Sequence, residues 1–285
     1  MDERIGIIGG TGVYTLEGVE HEGAVEMDTP WGRPSGPIVL ARLQGVPLAF
    51  LARHGEGHVF TPSEVPYAAN IYAMKKTGVR KLISVSAVGS LKEKIPPRDF
   101  VVPDQLWDRT KGIRTSTFFG GGVVGHVSFG RPFCPCMRSI LAGAAEAAGA
   151  RVHPSGSYIC IEGPAFSTRA ESLVHRAMGM DIVGMTAIPE AKLAREAGMC
   201  YATLAMVTDF DAWHDSVEEV TLDMVVAHMT ANTALARLTL AGAVGLIASA
   251  RFDCACRTAA ANAILTAPGR RNPERMADLE VILSE

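Results

Sequence analysis

Ile5-Gly6-Ile7-Ile8-Gly9-Gly10-Thr11-Gly12 is the stretch whose reading decides the fold. A short apolar run that stops in turn residues reads as a buried strand rather than a helix. The same construction recurs down the chain. Val46 to Leu51 ends just before Arg53-His54, and Lys81 to Val85 leads into Ser86-Ala87. Phe100 to Pro103, Tyr158 to Ile161, Ile182 to Met185 and Tyr201 to Val207 are further strands. Helices fill the intervals. Residues 64 to 77 are entered through Pro62 and Pro66 and stopped by Gly78, and an alanine-rich helix over 136 to 148 is closed by Gly149. Thr168 to Met178 carries a capping box, Thr168 with Glu171. Pro189 to Ala197 has proline in its first turn and Gly198 past its end, and 221 to 248 is helical. Strands alternating with helices predict an α/β fold: a single domain over 1–285 with a central mixed β-sheet flanked by helices. Its core is expected at about 5–250, with 251–285 as a C-terminal extension that reads from Thr258 as a frayed, polar tail. The glycine-rich segment from Lys111 to Arg131 reads as a loop, long enough to be functional or an interface element.

Composition narrows the function. With 48% apolar residues in a 285-residue chain, a large core forms without metals or disulfides. A net charge of −3 and no basic stripe exclude a dedicated nucleic-acid binder but leave room for a local anion pocket. The opening Met1-Asp2-Glu3-Arg4 is followed by too short an apolar run for a secretory leader, so a cytoplasmic location is expected. Leu235 to Ala250 is interrupted by Arg237 and falls short of the ~20 residues that span a bilayer. It reads as a core helix, and no membrane partner is expected. Six cysteines form two C-x-C pairs, Cys134/Cys136 and Cys254/Cys256, with Cys160 and Cys200 apart. No pair of C-x-x-C motifs stands at zinc spacing. Idle buried thiols and structural disulfides are the two readings left.

Ligands of open α/β sheets bind at the carboxyl ends of strands. The residues there are Gly9-Gly10-Thr11-Gly12, Arg53-His54, Ser86-Ala87, Met185-Thr186 and Thr208-Asp209. Glycines, hydroxyls, a guanidinium and an imidazole together suit an oxyanion such as phosphate. Singly, each has a plainer reading. The glycine run is also an ordinary tight turn, and it lacks the third glycine of a dinucleotide fingerprint because position 15 is Thr. His54 and His58 are four apart, but Gly55 and Gly57 disfavour a helix and position 55 is not Glu, so zinc is not expected there. Asp209 and Asp211, after a buried strand and before Trp213, look more like a site than a solvated loop.

The motifs Ile7–Gly12, Leu51–Gly55, Ser86–Leu91, Ile161–Ser167, Met185–Glu190 and Thr208–Trp213 resemble, in order, those of the 5′-methylthioadenosine phosphorylases within the purine nucleoside phosphorylase family. The resemblance covers about residues 5 to 240. It implies a nucleoside phosphorylase-like fold and a phosphate shell of Thr11, Arg53, His54, Ser86, Ala87 through its backbone, and Thr186. Ser86 departs from the threonine common there but keeps the hydroxyl. Met185 is implied beneath the ribose, Phe166 and Ser167 at the purine, and Asp209 and Asp211 as base-recognition carboxylates. The 6-oxopurine branch shows Glu after the Phe and Asn at the position of Asp209, so adenine is the expected base. A carboxylate accepts from N6 and, when protonated, donates to N7. Leu222 falls where that branch carries a histidine for the 5′-hydroxyl. With Val225 one turn on, it suits a soft, poorly hydrated methylthio group, although helical core is the plainer reading of both. His58 and His126 border this pocket by resemblance, His126 from a neighbouring subunit.

The expected reaction is phosphorolysis of 5′-methylthioadenosine to adenine and 5-methylthioribose 1-phosphate. Asp209 acts as general acid, and inorganic phosphate is co-substrate, without metal or organic cofactor. On this reading Arg53→Ala raises the KM for phosphate far more than that for nucleoside. The resemblance further implies a homotrimer, or a dimer of trimers, joined through the Lys111–Arg131 loop. It also implies disulfides of the kind carried by thermophile members, where cysteines like Cys134 and Cys200 pair. The alternatives are a wider adenine-nucleoside or a 6-oxopurine (5′-methylthioinosine) phosphorylase, a hydrolase, a non-catalytic binding protein and, least supported, a dinucleotide-dependent oxidoreductase.

Overall fold

A computed structural model describes residues 3–10, 12, 16–214, 222–261 and 263–284, without the side chains of 222–225 and 227. The expected mixed sheet is there. Eleven strands join into one sheet in the order β2-β3-β4-β1-β5-β10-β9-β7, with β11 on β5, β6 on β11 and β8 on β6. They span Arg4–Gly9 (β1), Val19–Val25 (β2), Ile38–Leu43 (β3), Val46–Ala52 (β4), Val79–Ser90 (β5) and Phe100–Val101 (β6). Gln105–Arg109 (β7), Val152–His153 (β8), Ser157–Ile161 (β9), Ile182–Gly184 (β10) and Cys200–Asp209 (β11) complete them.

Strand β5 organises the sheet. On one edge it pairs in parallel with β11 along nearly its whole length, from Lys81 opposite Cys200 to Gly89 opposite Asp209. Its other edge is shared. Parallel pairing with β1 ends at Ser84, and antiparallel pairing with β10 begins at Gly89. Residues 85–88 therefore face a gap between the end of one strand and the start of another. Such a switch point is where α/β sheets open a crevice for ligands. The expected end of this strand at Val85 is corrected to Ser90, because pairing with β11 and β10 carries the ladder past the hydroxyl and small residues that read as a stop.

The helices are Tyr67–Lys76 (α1), Pro135–Ala147 (α2), Arg169–Ala177 (α3), Ala187–Glu196 (α4), Leu222–Ser249 (α5), Pro273–Asp278 (α6) and Glu280–Leu283 (α7). Helix α1 starts later than expected, since the residue before Pro66 is held out of the helical region. The capping box of α3 forms, Thr168 accepting from the backbone of Glu171. Ile188 is non-helical, so α4 runs regularly only from Pro189. Helices α2 and α5 cover one face of the sheet, where Leu141, Leu240 and Val244 pack against Ile7, Ile83 and Leu204. Helices α1, α4 and α7 cover the other, where Ile71, Leu193 and Ile282 pack on Leu51 and Tyr201.

Three readings need correction. The segment after Thr258 is no frayed tail: Leu279 and Ile282 are fully buried, and His126 and Leu265 form backbone bonds that tie 124–126 to 263–265. Its polarity belongs to an outer face, while the apolar residues of short helices too brief to show a period point inward. Strands β2, β3, β7 and β8 escaped notice: β2, β7 and β8 lie at edges, which carry charge rather than alternation, and β3 is a short run interrupted by Arg42. The apolar stretch in α5 is longer than read, since His228–Ser249 has 22 residues and mean hydropathy 1.4, enough by length and composition to cross a membrane. Its Ala236, Leu240, Ala243 and Ile247 are nonetheless fully buried in the core against α2.

Candidate active site

The crevice at residues 85–88 opens into a cavity of about 520 Å³. It gathers the ends of several strands: Gly10 after β1, Arg53 and His54 after β4, Met185 and Thr186 after β10, and Thr208 and Asp209 at the end of β11. His58, Ser86, Ala87, Phe166, Ser167 and Asp211 also line it. Among the residues named from sequence, Thr11 and the side chains of Leu222 and Val225 lie outside the described residues. His126 is exposed and does not line the cavity of its own chain. Among the described residues, α5 presents Val226 and Met229 to the cavity as an apolar wall, with Thr233.

At the switch point Ser86 Oγ and Thr186 Oγ1 are 3.2 Å apart. Strand β5 brings one hydroxyl and the turn after β10 the other. Beneath them Arg53 is buried, 2% exposed. Its Nε and Nη2 make a two-pronged contact with the Glu190 carboxylate at 2.7 and 3.0 Å, Nη2 also meets Ser84 Oγ at 2.7 Å, and Nη1 donates to Val85 O at 3.0 Å. Burial opposes the guanidinium charge, but the carboxylate outweighs it, and Arg53 is held above its ordinary pKa. Glu190, which sequence reading left unassigned, therefore sets how this cation is aimed. Tyr201 Oη donates to the same carboxylate.

His54 is neutral near pH 7. Burial, and then the Arg53 charge, push its pKa down to about 4. Nδ1 lies 2.8 Å from Phe60 O, an acceptor only, so Nδ1 carries the proton and Nε2 the lone pair. His58 stacks on it with ring centroids 4.2 Å apart.

The carboxylates occupy the other end of the exposed stretch of β5. Gly89 lies three residue steps beyond Ser86, ~10 Å along a strand, and pairs with Asp209. Burial raises the pKa of Asp209; hydrogen bonds from Thr208 and the Asp211 backbone oppose the rise, and the Asp211 charge adds to it. Its Oδ1 accepts the backbone N–H of Asp211 at 2.8 Å and its Oδ2 faces Thr208 Oγ1 at 2.7 Å. Thr208 Oγ1 is also 3.3 Å from Val88 O. The hydroxyl thus suits either state of Asp209, donating to the carboxylate or accepting from the acid while donating to Val88 O. Asp211 sits at φ +52 in the short 3-10 turn Asp211–Trp213, fixed by Trp213 Nε1 donating to Ser90 O. Burial raises its pKa too. The Ser172 and Ser167 hydroxyls act on the Asp211 carboxylate and oppose that rise. Ser167 and Asp211 both line the cavity, where a ligand with donors and acceptors would meet them.

Two residues that motif reading gave no role shape the site. Arg114, in the Lys111–Arg131 segment, pairs with Glu162 at 2.7 Å and donates to Met185 O and Ile188 O at 2.7 Å. Burial works against the charge of Glu162, but hydrogen bonds from Ser63, the Lys111 backbone and Arg114 outweigh it and lower its pKa. Gly89 is the other. A Cβ there would meet Asp209 Oδ1 at 2.8 Å and Asp211 Cβ at 3.2 Å. Gly89→Ala is expected to leave the circular dichroism spectrum unchanged and to lower kcat about 100-fold, the cost of misplacing a reacting group by ~1 Å. An unaltered kcat in that variant would remove the carboxylates from the chemistry.

The chain is similar to known proteins over most of its length. The family described as the phosphorylase superfamily matches residues 4–242. The S-methyl-5′-thioadenosine phosphorylase of Geobacter sulfurreducens is 48% identical over 283 residues, 99% of each chain. That of Chloroflexus aurantiacus is 52% identical over 264 residues, 93% of this chain and 91% of the relative. Among solved structures, a methylthioadenosine phosphorylase from an antarctic soil metagenomic library superposes with a TM-score of 0.94 at 48% identity, covering 99% of each chain. The Schistosoma mansoni methylthioadenosine phosphorylase in complex with adenine superposes with a TM-score of 0.87 at 38% identity, covering 92% of this chain and 99% of that one.

Proposed function

Because this chain belongs to the phosphorylase superfamily, we infer that it is a pentosyltransferase cleaving 5′-methylthioadenosine with inorganic phosphate, releasing adenine and 5-methylthioribose 1-phosphate in purine and methionine salvage. The observation that carries the reading is the pairing on one strand of two chemistries about a nucleoside's length apart. The Ser86–Thr186 hydroxyls and buried Arg53 stand at one end, and Asp209 and Asp211, both with raised pKa, at the other.

In this mechanism phosphate is held by Thr11, Ser86, Thr186, the Ala87 backbone and Arg53, and His54 Nε2 accepts a hydrogen bond from a P–OH group. Met185 lies beneath the ribose. Phe166 and Ser167 border the purine, and Asp211 accepts from N6. The C1′–N9 bond breaks with its electron pair passing to the purine, while Asp209 gives its proton to N7. A phosphate oxygen forms the new bond to C1′ from the opposite face. Fixing both reactants in line is the main source of rate. Proton transfer from a tuned acid adds about 10²–10⁴-fold. Asp209 is suited to that transfer because Thr208 Oγ1 donates to the carboxylate that is left.

Val226 and Met229 give the cavity an apolar wall on α5 suited to a 5′-methylthio group, with Leu222 and Val225 assigned to the same wall and His58 to its rim. The proposal includes one domain acting as a whole, a cytoplasmic location and a homotrimer, alone or paired, to which His126 would contribute across the interface. Exposed Leu173, Val174 and Met178 around α3, with Phe166 at the mouth of the cavity, supply apolar surface for such contacts.

Adenine release from 5′-methylthioadenosine, with and without phosphate, beside adenosine and 5′-methylthioinosine, tests the reading. Phosphate-dependent release, fastest with the methylthio adenine substrate, is expected. Cleavage of the inosine compound alone would mean that Asp209 selects a 6-oxopurine, and release without phosphate would mean a hydrolase.

A further inference from the structure

At the opposite end of β11 from the carboxylates, four cysteines converge. Cys134 caps the start of α2, Cys200 opens β11, and Cys254 and Cys256 lie in the segment after α5. Their sulfurs all fall within 4.8 Å of one another, with Cys134 to Cys254 at 3.7 Å and Cys200 to Cys254 at 3.5 Å. All four are thiols, and all but Cys254 are fully buried. From this cluster we propose that Cys134, Cys200, Cys254 and Cys256 bind one zinc ion as a structural tetrathiolate.

The geometry is that of a tetrahedron. Zinc–sulfur bonds of ~2.3 Å at tetrahedral angles put ligand sulfurs ~3.8 Å apart, the scale of the two separations above. Two disulfides would need the cluster divided two by two. Here Cys254 approaches Cys134 and Cys200 almost equally, and Cys134 and Cys200 each approach the other three. Four soft sulfurs and no nitrogen or oxygen donor select a thiophilic ion such as zinc over magnesium or calcium. Binding converts four thiols to thiolates and releases four protons to solvent, leaving a net charge of −2. The Arg195 guanidinium acts on Cys256, and the positive end of α2 meets Cys134; both oppose that charge. Cys136 is outside the cluster, its sulfur turned to Asp253 O.

The site joins what sequence separates. It ties the N-terminus of α2, the start of β11 and the chain leaving α5, and so clamps the C-terminal segment to the core. Four thiolates from three distant places leave no short motif, which is why spacing rules found nothing. Asp209 stands ~30 Å away along β11, so the metal holds structure and takes no part in cleaving the nucleoside.

Full-length protein purified in reductant is expected to hold about one zinc per chain by elemental mass spectrometry. Exchange with cobalt(II) is expected to give the strong red-region bands and sulfur-to-metal charge transfer of a tetrahedral tetrathiolate. Cys254→Ser and Cys256→Ser should each lower metal content at least about tenfold, and Cys136→Ser should keep it. A strong chelator should lower the melting temperature without changing kcat. If a serine variant fails to fold, the cobalt spectrum of the unaltered protein decides. Zinc at trace level in reduced protein with no tetrathiolate spectrum overturns the proposal. So does a mass showing the four sulfurs joined in two disulfides in protein purified without reductant.

Discussion

Asp209→Asn is expected to lower kcat for adenine release by about 10²–10⁴-fold, the usual contribution of a positioned general acid, and yet to leave the protein at least as stable. The two effects have one cause. A buried carboxyl whose pKa is raised binds its proton more tightly in the folded chain than in the unfolded one. Stability is then lost as pH rises from the unfolded pKa through the folded one. Above the unfolded pKa the buried acid therefore works against folding, and asparagine removes that cost. The amide also fits. Its oxygen accepts from the Asp211 backbone, and its NH₂ donates to Thr208 Oγ1, whose hydroxyl then donates to Val88 O. Asparagine still donates to N7 but has no proton to give, so binding of adenine falls less than turnover. In the unaltered protein kcat should decline as pH climbs through the raised pKa, and the variant's residual rate should be flat across that range. Thermal melting beside the pH profile of kcat checks both. A variant that melts lower and keeps its rate would assign Asp209 to structure.

What sequence reading reached, and what it did not, follows from where each signal resides. Buried strands such as β1 and β11 are continuous apolar runs bounded by glycine or a charge, so their ends, and the site residues on those ends, were legible. Arg53, His54, Ser86, Thr186 and Asp209 could be named because ligands collect at strand termini. Edge strands β2 and β7 carry no such pattern. Glu190 was quoted within a motif and given no role, because its role depends on a partner 137 residues away. Arg114 and Glu162 hold the site through contacts that no spacing encodes. The C-x-C pair Cys254/Cys256 and, by resemblance, Cys134 with Cys200 were marked in the sequence, but as candidate disulfides; that all four sulfurs meet as thiols shows only when α2, β11 and the segment after α5 are packed. Gly89 looked like one glycine of a motif. Only the carboxylate oxygen in the space of a missing Cβ explains why nothing larger fits.

Arg53→Ala illustrates how burial changes the meaning of a site residue. From sequence alone the expected result was a higher KM for phosphate. The structure places the guanidinium at 2% exposure in a bidentate pair with a Glu190 that is 1% exposed. Removing one member of a buried pair strands the other charge and costs about 3–5 kcal/mol, against a total stability of about 5–15 kcal/mol for a typical domain. The variant is therefore expected to unfold at a markedly lower denaturant midpoint and to yield little soluble protein, so its KM would report a damaged fold. Three backbone or hydroxyl acceptors, Val85 O, Ile8 O and Ser84 Oγ, lose their donor as well. The charge contribution separates from these in a double-mutant cycle. Arg53→Met combined with Glu190→Met should be clearly more stable than Arg53→Ala, because no charge is left unpaired. It should still fail to saturate with phosphate, because the cation behind Ser86 and Thr186 is gone. A wild-type midpoint in Arg53→Ala, with only the phosphate KM raised, would mean that Glu190 keeps its charge by other means and that Arg53 serves the ligand alone.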